Sequence, residues 1–297
     1  MKISFSKMTA AGNDFILFEK RKFPVNSIPA EFAKAVCDRH FGIGADGIII
    51  ISESDNYDFE MEYYNSDGSG GSLCANGARA ALRFAELNHL AENRKISFSA
   101  NGVEYSGEII DQTNVRFSLS EPLEIKTGII LQHNNHRIEG DFINTGSPHF
   151  VINVSGISDH AGKIIYNSPE EIQVGQLGKE LRYRKEFEPG GANINFISNT
   201  GSLINIRTFE RGVENETLAC GTGAVAASIS VFLNSRSKPP FKLITRGGEI
   251  LNVDFDHSNH KFSSITLIGP AVLVFNGELE SEKFINHIRS TNGKSDL

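Results

Sequence analysis

Two segments half a chain apart repeat one local design. "NSDGSGGSLCANGARAALRF" (residues 65–84) and "ENETLACGTGAVAASISVF" (residues 214–232) each run from a polar stretch through one cysteine into an Ala-rich helix, and both read C-x-x-G-A. The cysteines, Cys74 and Cys220, stand 146 positions apart in a chain of 297. Each follows a strand-like run, "FEMEYY" or "LINIRTF", that closes on a polar residue, Asn65 or Glu210, nine or ten positions before the thiol. A fainter echo, with less regular spacing, pairs "GNDFILF" at 12–18 with "SPHFVIN" at 147–153. Such self-similarity marks a duplicated unit, and it implies two similar domains facing one another. Length agrees, because a single core stops growing at roughly 250–300 residues, and a 39% hydrophobic content is enough for two ordinary cores.

Apolar alternation and turn residues predict strands near 3–6, 14–19, 47–52, 58–64, 95–99 and 103–110 in the first half. In the second half they predict strands near 115–119, 129–131, 137–143, 149–154, 193–197, 203–209, 249–255 and 264–275. Helices are expected over 29–41, 76–90, 168–184 and after Cys220. Many antiparallel-looking strands with one long apolar helix per half give an α+β fold of two similar domains, each a mixed or antiparallel sheet curled around a central helix. The expected boundaries are 1–120, completed by 276–297, and 121–275.

A net charge of −7 argues against nucleic acid or an anionic membrane as the main partner, and "RYRKE" at 182–186 reads as a solvated face. Three cysteines in a chain this long form no disulfide framework, and the odd count fits a reducing compartment. The N-terminus has no apolar signal region, and the longest apolar run, "IIII" after Gly47, is strand-sized. The expectation is a cytoplasmic protein with a small-molecule partner, no nucleic acid, no membrane and no metal, and with a homodimer as the candidate assembly. Cys37, on the amphipathic helix before "DRHFG", reads as core.

Gly221, Thr222 and Gly223 are poor helix-interior residues, whereas Ala224–Leu233 carries no charge, so Cys220 falls at a helix N-terminus. There the helix dipole and the first backbone N–H groups favour a thiolate and a bound anion. The alternative is a buried, inert space-filler, the role of most free cysteines. Two thiols at two helix N-termini suit inversion of a carbon that bears an acidic proton. One thiolate removes the proton from one face while one thiol supplies a proton to the other. Enzymes often meet the weak acidity of an amino-acid α-proton with a cofactor, but no such signature is present: "GIGADG" at 42–47 only loosely suggests a dinucleotide loop and precedes a strand. Helix N–H groups could instead stabilise the developing charge, so no cofactor is expected.

"GNDF" at 12–15, "DRHFGIGADGI" at 38–48, "NSDGSGGSLCANGAR" at 65–79, "GSPHFV" at 146–151, "NINF" at 193–196 and "ERGVENETLACGTGAVAA" at 210–227 closely resemble the diaminopimelate epimerase family. The resemblance runs from Gly12 to about residue 275. It implies two related α+β barrels with the active site in the cleft between them, and cofactor-independent interconversion of L,L- and meso-diaminopimelate on the route to lysine and peptidoglycan. Carried over by position, it implies Cys74 and Cys220 as the acid/base pair, with Asn13, Asn65, His149, Asn193, Glu210 and Arg211 as the polar shell. Arg211 could bind a carboxylate bidentately, and Asn65 and Asn193 could sort the ammonium and carboxylate of the distal centre. Ala75, Asn76, Gly77, Gly221 and Thr222 would surround the α-carboxylate at the two helix starts, with His149 and Glu210 near the reacting centre. Three positions depart from the family pattern: Ala75 for a usual Gly, Ser147 for a usual Asn, and Ala10 for a usual Gly. They bear on substrate choice and leave the thiols intact. The rival readings are a racemase of another amino acid such as proline, hydroxyproline or histidine, a hydrolase with Cys220 as nucleophile and His149 as base, and a noncatalytic binding module with two inert thiols.

Overall fold

The computed structural model describes residues 2–22, 30–70, 73–280 and 284. The chain divides into two compact units, Met1–Phe117 with Pro270–Leu297, and Ser118–Gly269. The first runs through β1 (Lys2–Ala10), β2 (Asn13–Glu19), α1 (Ala30–Cys37), β3 (Gly47–Ser52), β4 (Phe59–Asn65), α2 (Ala75–Leu87), β5 (Lys95–Ala100), β6 (Val103–Ile109) and β7 (Asn114–Ser118). The second holds β8 (Glu124–His133), β9 (His136–Asn144), β10 (Pro148–Asn153), the short β11 (Ile157–Ser158), α3 (Val174–Arg182), β12 (Asn193–Thr200), β13 (Leu203–Glu210), β14 (Asn215–Thr217), α4 (Gly221–Asn234), β15 (Phe241–Ile244), β16 (Ile250–Ser258) and β17 (Lys261–Pro270). β18 (Val272–Glu280) then returns to the first unit and pairs with β1.

Strand pairing shows the duplication. In the first unit β18 and β2 flank β1 antiparallel, β2–β3 are parallel, β3–β4 antiparallel, β4–β5 parallel, and β5–β6–β7 antiparallel. In the second, β8 and β10 flank β9 antiparallel, β10–β12 are parallel, β12–β13 antiparallel, β13–β15 parallel, and β15–β16–β17 antiparallel. The two sequences of pairing match strand for strand. Within it, the cysteine-bearing helices α2 and α4 both follow the fourth strand from the start of the shared pattern, counting β1 and β9 as first.

β3 is covered on both faces, which explains why it reads as a continuous apolar run. Ile48 and Ile50 of β3 join Phe18, Phe32, Val36 and Cys37 in a core beneath α1, while Ile49 points to the opposite side, toward Gly77 of α2. α2 is buried at every position from Ala75 to Ala85 and packs against β1, β2, β3, β4, β6 and β18; α4 packs against β9, β10, β12, β13 and β16. Small residues on these helices let the strands close around them. One polar residue anchors each. Arg83 ties α2 to the Ala271 carbonyl at 3.2 Å and the Asp111 carbonyl at 2.5 Å. The buried Asp141 of β9 accepts from Ser230 at 2.5 Å and Asn234 at 2.6 Å on the last turns of α4.

The boundaries differ from those expected. The segment 264–275 is not one strand: Pro270, which has no N–H for a ladder, closes β17, and Ala271 is taken by Thr113 and Arg83 of the first unit. β18 therefore belongs to the first unit, and the return falls at 270 instead of 276. The expected helix over 168–184 is a 3-10 turn at Pro169–Glu171 followed by α3, because Ile172 adopts extended backbone and is buried. β14 and β15 add strands that sequence pattern did not reveal. Among the described residues no helix is long and apolar enough to cross a membrane.

Candidate active site

In the first unit Cys74 is the N-cap of α2 and is partly exposed. The helix start is held by a directional chain of hydrogen bonds. Arg79 Nη2 donates to Asn76 Oδ1 at 2.8 Å, Asn76 Nδ2 to Asn13 Oδ1 at 2.6 Å, and Asn13 Nδ2 to Asp46 Oδ2 at 2.9 Å. Asn13 reaches this place because Ala11 and Gly12 both adopt positive φ, 53° and 95°, in the two-residue turn that joins β1 to β2. Asp46 is fixed by Arg39 at 2.8 Å; Arg39 also grips Asp14, which pairs with Lys7 at 2.7 Å. Against the upward push of burial, the hydrogen bonds from Arg39 and Lys7 hold the Asp14 carboxyl below its usual range.

Arg79 is fully buried, and its Nε has no hydrogen-bond partner. Burial lowers its pKa to about 10, while attraction to Cys74 acts the other way. The cation and the sulfur therefore sense each other, and by reciprocity the guanidinium favours a Cys74 thiolate. Ala75 is buried and its carbonyl accepts from Arg79. At Gly77 an added Cβ would lie 3.5 Å from that of Cys74, so the glycine leaves open the space beside the thiol. Asn65 ends β4, with its amide between Tyr63 Oη at 2.9 Å and Ser69 Oγ at 3.0 Å.

In the second unit Cys220 is the N-cap of α4 and is buried. Thr222 Oγ1 lies 3.5 Å from its Sγ and 2.9 Å from His149 Nε2. His149 is fully buried near the start of β10, opposite Asn193 on parallel β12. Burial first, and then the nearby Arg211 charge, lowers its pKa to about 3, so the imidazole is neutral at working pH. Asn193 donates to Ser147 Oγ and to the Pro148 carbonyl, both at 3.0 Å, and accepts from the Arg211 backbone N–H at 2.7 Å. It therefore holds the ends of β10 and β13 together. Arg211 itself is exposed, with its guanidinium lying over Gly190, and Glu210 is the last residue of β13.

The structure thus places Ala75, Asn76 and Gly77 at the helix start beside Cys74, with Asn13 bound to Asn76, and places Gly221 and Thr222 beside Cys220, with His149 against Thr222 and with Asn193 and Arg211 next to His149. Asn65 and Asn193 have local partners for their amides. Ser147 sits inside the site as an acceptor from Asn193. Sequence reasoning passed over Arg79, Asn195, Thr208 and Asp46. Arg79 was visible as the first charged residue of an Ala-rich helix; Asn195, two beyond Asn193 on the same strand face, carried no signal of its own. Among the described residues no group of three or more His, Cys, Asp or Glu is placed to hold a metal ion.

The architecture is shared with solved structures. A probable proline racemase from Agrobacterium radiobacter K84, with bound carbonate, aligns with a TM-score of 0.67 at 13% identity over 93% of this chain and 92% of its own. At that identity the likeness shows the fold alone, an α+β architecture shared with that protein. Sequence carries the assignment further. The diaminopimelate epimerase family model matches residues 5–123 and 142–274. The diaminopimelate epimerase of Aquifex aeolicus is 37% identical over 94% of this chain and 99% of its own length, and that of Chlorobaculum tepidum is 37% identical over 92% and 99%. The chain belongs to the diaminopimelate epimerase family, and it is an isomerase.

Proposed function

We propose that this enzyme interconverts L,L- and meso-diaminopimelate without a cofactor, with Cys74 and Cys220 as its acid/base pair. The observation that carries the reading is the duplicated placement of a cysteine at the N-cap of the buried central helix in each unit. One thiolate takes the α-proton and leaves a carbanion; the other thiol gives its proton to the opposite face, and the sulfurs end with their protonation states exchanged. N–H groups at the helix starts bind the α-carboxylate and oppose the charge that develops on it. Asn13, with one N–H already committed to Asp46, offers its second to a carboxylate oxygen. Arg211, exposed and planar, suits the distal carboxylate, and Asn65, Asn193 and Glu210 shape the distal and ammonium contacts. Reduced thiols are essential, which fits the cytoplasm as the working compartment and a role in supplying lysine and peptidoglycan precursors.

The test is α-proton exchange in D₂O followed by NMR, with reductant and no added cofactor, on L,L-diaminopimelate and a panel of single-centre amino acids. Deuterium entering diaminopimelate alone, with appearance of the meso isomer, is the expected outcome. Exchange in proline or another single-centre amino acid instead would keep the thiol chemistry and move the substrate, with Ser147 and Ala75 as the first positions to examine. No exchange in any substrate would defeat the proposal.

A further inference from the structure

Behind Cys220 lies a hydrogen-bonded file of four side chains, and its polarity can be read from chemistry alone. Asn195 of β12 and Thr208 of β13 are register partners, both buried, two residues along their strands from the ends that carry Asn193 and Glu210. Asn195 Nδ2 lies 3.1 Å from His149 Nδ1 and 3.5 Å from the Phe150 carbonyl, and Asn195 Oδ1 lies 3.0 Å from Thr208 Oγ1. The Phe150 carbonyl can only accept, so the amide nitrogen must face that side and the amide oxygen must face the Thr208 hydroxyl. The amide nitrogen can only donate, so His149 Nδ1 is an acceptor and carries no proton. In a neutral imidazole the proton is then on Nε2.

From Nε2 the direction continues outward. The Nε2–H donates to Thr222 Oγ1 at 2.9 Å, which leaves the Thr222 hydroxyl hydrogen available for Cys220 Sγ, 3.5 Å away, when that sulfur is a thiolate and can only accept. Thr145 Oγ1, 3.1 Å from the Thr222 carbonyl, braces the same residue. From Thr208 to Thr222 every donor in the file points toward the sulfur. Gly223 shows how closely the file is built: a Cβ there would lie 2.6 Å from Asn195 Oδ1 and 3.3 Å from both His149 Cε1 and Cys220 Cβ.

We infer that Asn195 and Thr208 are positioning residues that fix the Nε2–H tautomer of His149, so that Thr222 donates to Cys220 and favours it as the thiolate. This rests on the reading of Cys220 as an acid/base group. A hydroxyl donor stabilises an anionic sulfur and has little effect on a neutral thiol, so the file selects the basic form of this cysteine. His149 acts here without titrating: burial and the Arg211 charge keep it neutral, and its task is to hand on the polarity set by Asn195. Among the described residues, the Arg211 charge opposes protonation of the imidazole and so reinforces its neutral form.

Two readouts test this without any turnover. In protein labelled with ¹⁵N-histidine, His149, identified by signals lost in His149→Gln, should show its proton on Nε2 from pH 5 to pH 9. A proton on Nδ1 in the parent protein would overturn the inference. In parallel, alkylation of Cys220 by iodoacetamide, read by peptide mass spectrometry with Cys74 as the internal comparison, gives the pH midpoint of each thiol. Asn195→Leu should move the Cys220 midpoint up by about one pH unit, a tenfold loss of thiolate below the midpoint. Thr208→Val should move it in the same direction by less, Thr208→Ser should restore it, and the Cys74 midpoint should stay in place. An unchanged Cys220 midpoint in both Asn195→Leu and Thr208→Val, or an equal shift at Cys74, would refute the role. If Asn195→Leu does not fold, Thr208→Val and the parent tautomer decide. A protein that fails to epimerise diaminopimelate could still pass both tests, so the two proposals fail separately.

Discussion

Replacing Arg79 with Met should barely change stability and should strongly change Cys74. A buried arginine whose pKa falls from 12.5 to about 10 through desolvation carries, at pH 7, about 3 kcal/mol of unfavourable free energy in the folded state. Met removes that cost and fills similar volume with apolar atoms. Against it stand the donor lost at Asn76 Oδ1, a buried acceptor worth about 1–3 kcal/mol, and the weak 3.3 Å bond to the Ala75 carbonyl, worth about 1 kcal/mol or less. The terms nearly cancel, so urea unfolding should place Arg79→Met within about 1 kcal/mol of the parent. An arginine buried against a carboxylate would behave otherwise, since breaking such a pair costs about 3–5 kcal/mol; among the described residues the charge that acts on Arg79 is Cys74, not a carboxylate. The same substitution withdraws the cation that Cys74 senses, so the alkylation midpoint of Cys74 should rise while that of Cys220 stays in place, and epimerase activity should fall at least tenfold. Destabilisation beyond 2 kcal/mol, or an unmoved Cys74 midpoint in a folded variant, would refute the account of this residue as a functional charge held at the expense of stability.

Other consequences are open to equally direct measurement. Gly223→Ala gains about 1 kcal/mol in helix propensity but must drive the Asn195 amide about 0.8 Å away to reach ordinary contact. Overpacking and the broken amide bonds should leave it about 1–3 kcal/mol less stable by urea titration, and a variant as stable as the parent would show the fit to be loose. His149 is depressed to about 3 in the folded state, so below about pH 6.5 the unfolded chain takes up a proton that the folded chain refuses. Stability from this residue is therefore lost as pH falls from about 6.5 toward 3, at up to about 1.4 kcal/mol per pH unit, and His149→Gln should show a shallower decline if its fold survives. Cys37, buried and with its thiol pushed up to about 12 mainly by desolvation, should resist iodoacetamide at pH 8 under native conditions and react after denaturation; native labelling at the rate of Cys74 would contradict its place in the core.

The duplication was legible because it is written in residue types that the chain cannot do without at a helix start. A cysteine followed by small residues, after a strand ending in Asn or Glu, fixes local geometry strongly enough to survive divergence elsewhere. The strand run "IIII" was equally plain, since a strand covered on both faces leaves no polar alternation to confuse. What stayed hidden depends on contacts distant in sequence. The division of 264–275 at Pro270 follows from Ala271 meeting Thr113 and Arg83, which periodicity cannot see. The helix expected over 168–184 was shortened because Ile172 gains more by burial than by continuing a turn. In the site, Asn195 and Thr208 looked like ordinary strand residues, and only the strand register that sets them opposite one another, behind His149, gives them a role.

The two units repeat one topology, yet each controls its thiol by different physical means. Around Cys74 the element is a full charge, Arg79, whose influence is long-ranged and depends on how dry its surroundings remain. Around Cys220 it is a file of neutral groups whose influence is short-ranged and depends on orientation. A single ancestral device copied into both halves would leave the two sulfurs equivalent, with the same form favoured in each at rest. On the proposed two-thiol mechanism a reaction that begins with one thiolate and one thiol needs that equivalence broken, and unlike shells would break it while the backbone repeat keeps each cysteine at a helix N-cap. Reversal then requires that neither device dominate. A buried cation that no carboxylate among the described residues pairs with, and a relay that reaches the sulfur through a long 3.5 Å hydroxyl contact, are both of the modest strength that would let substrate, on binding, redistribute the proton.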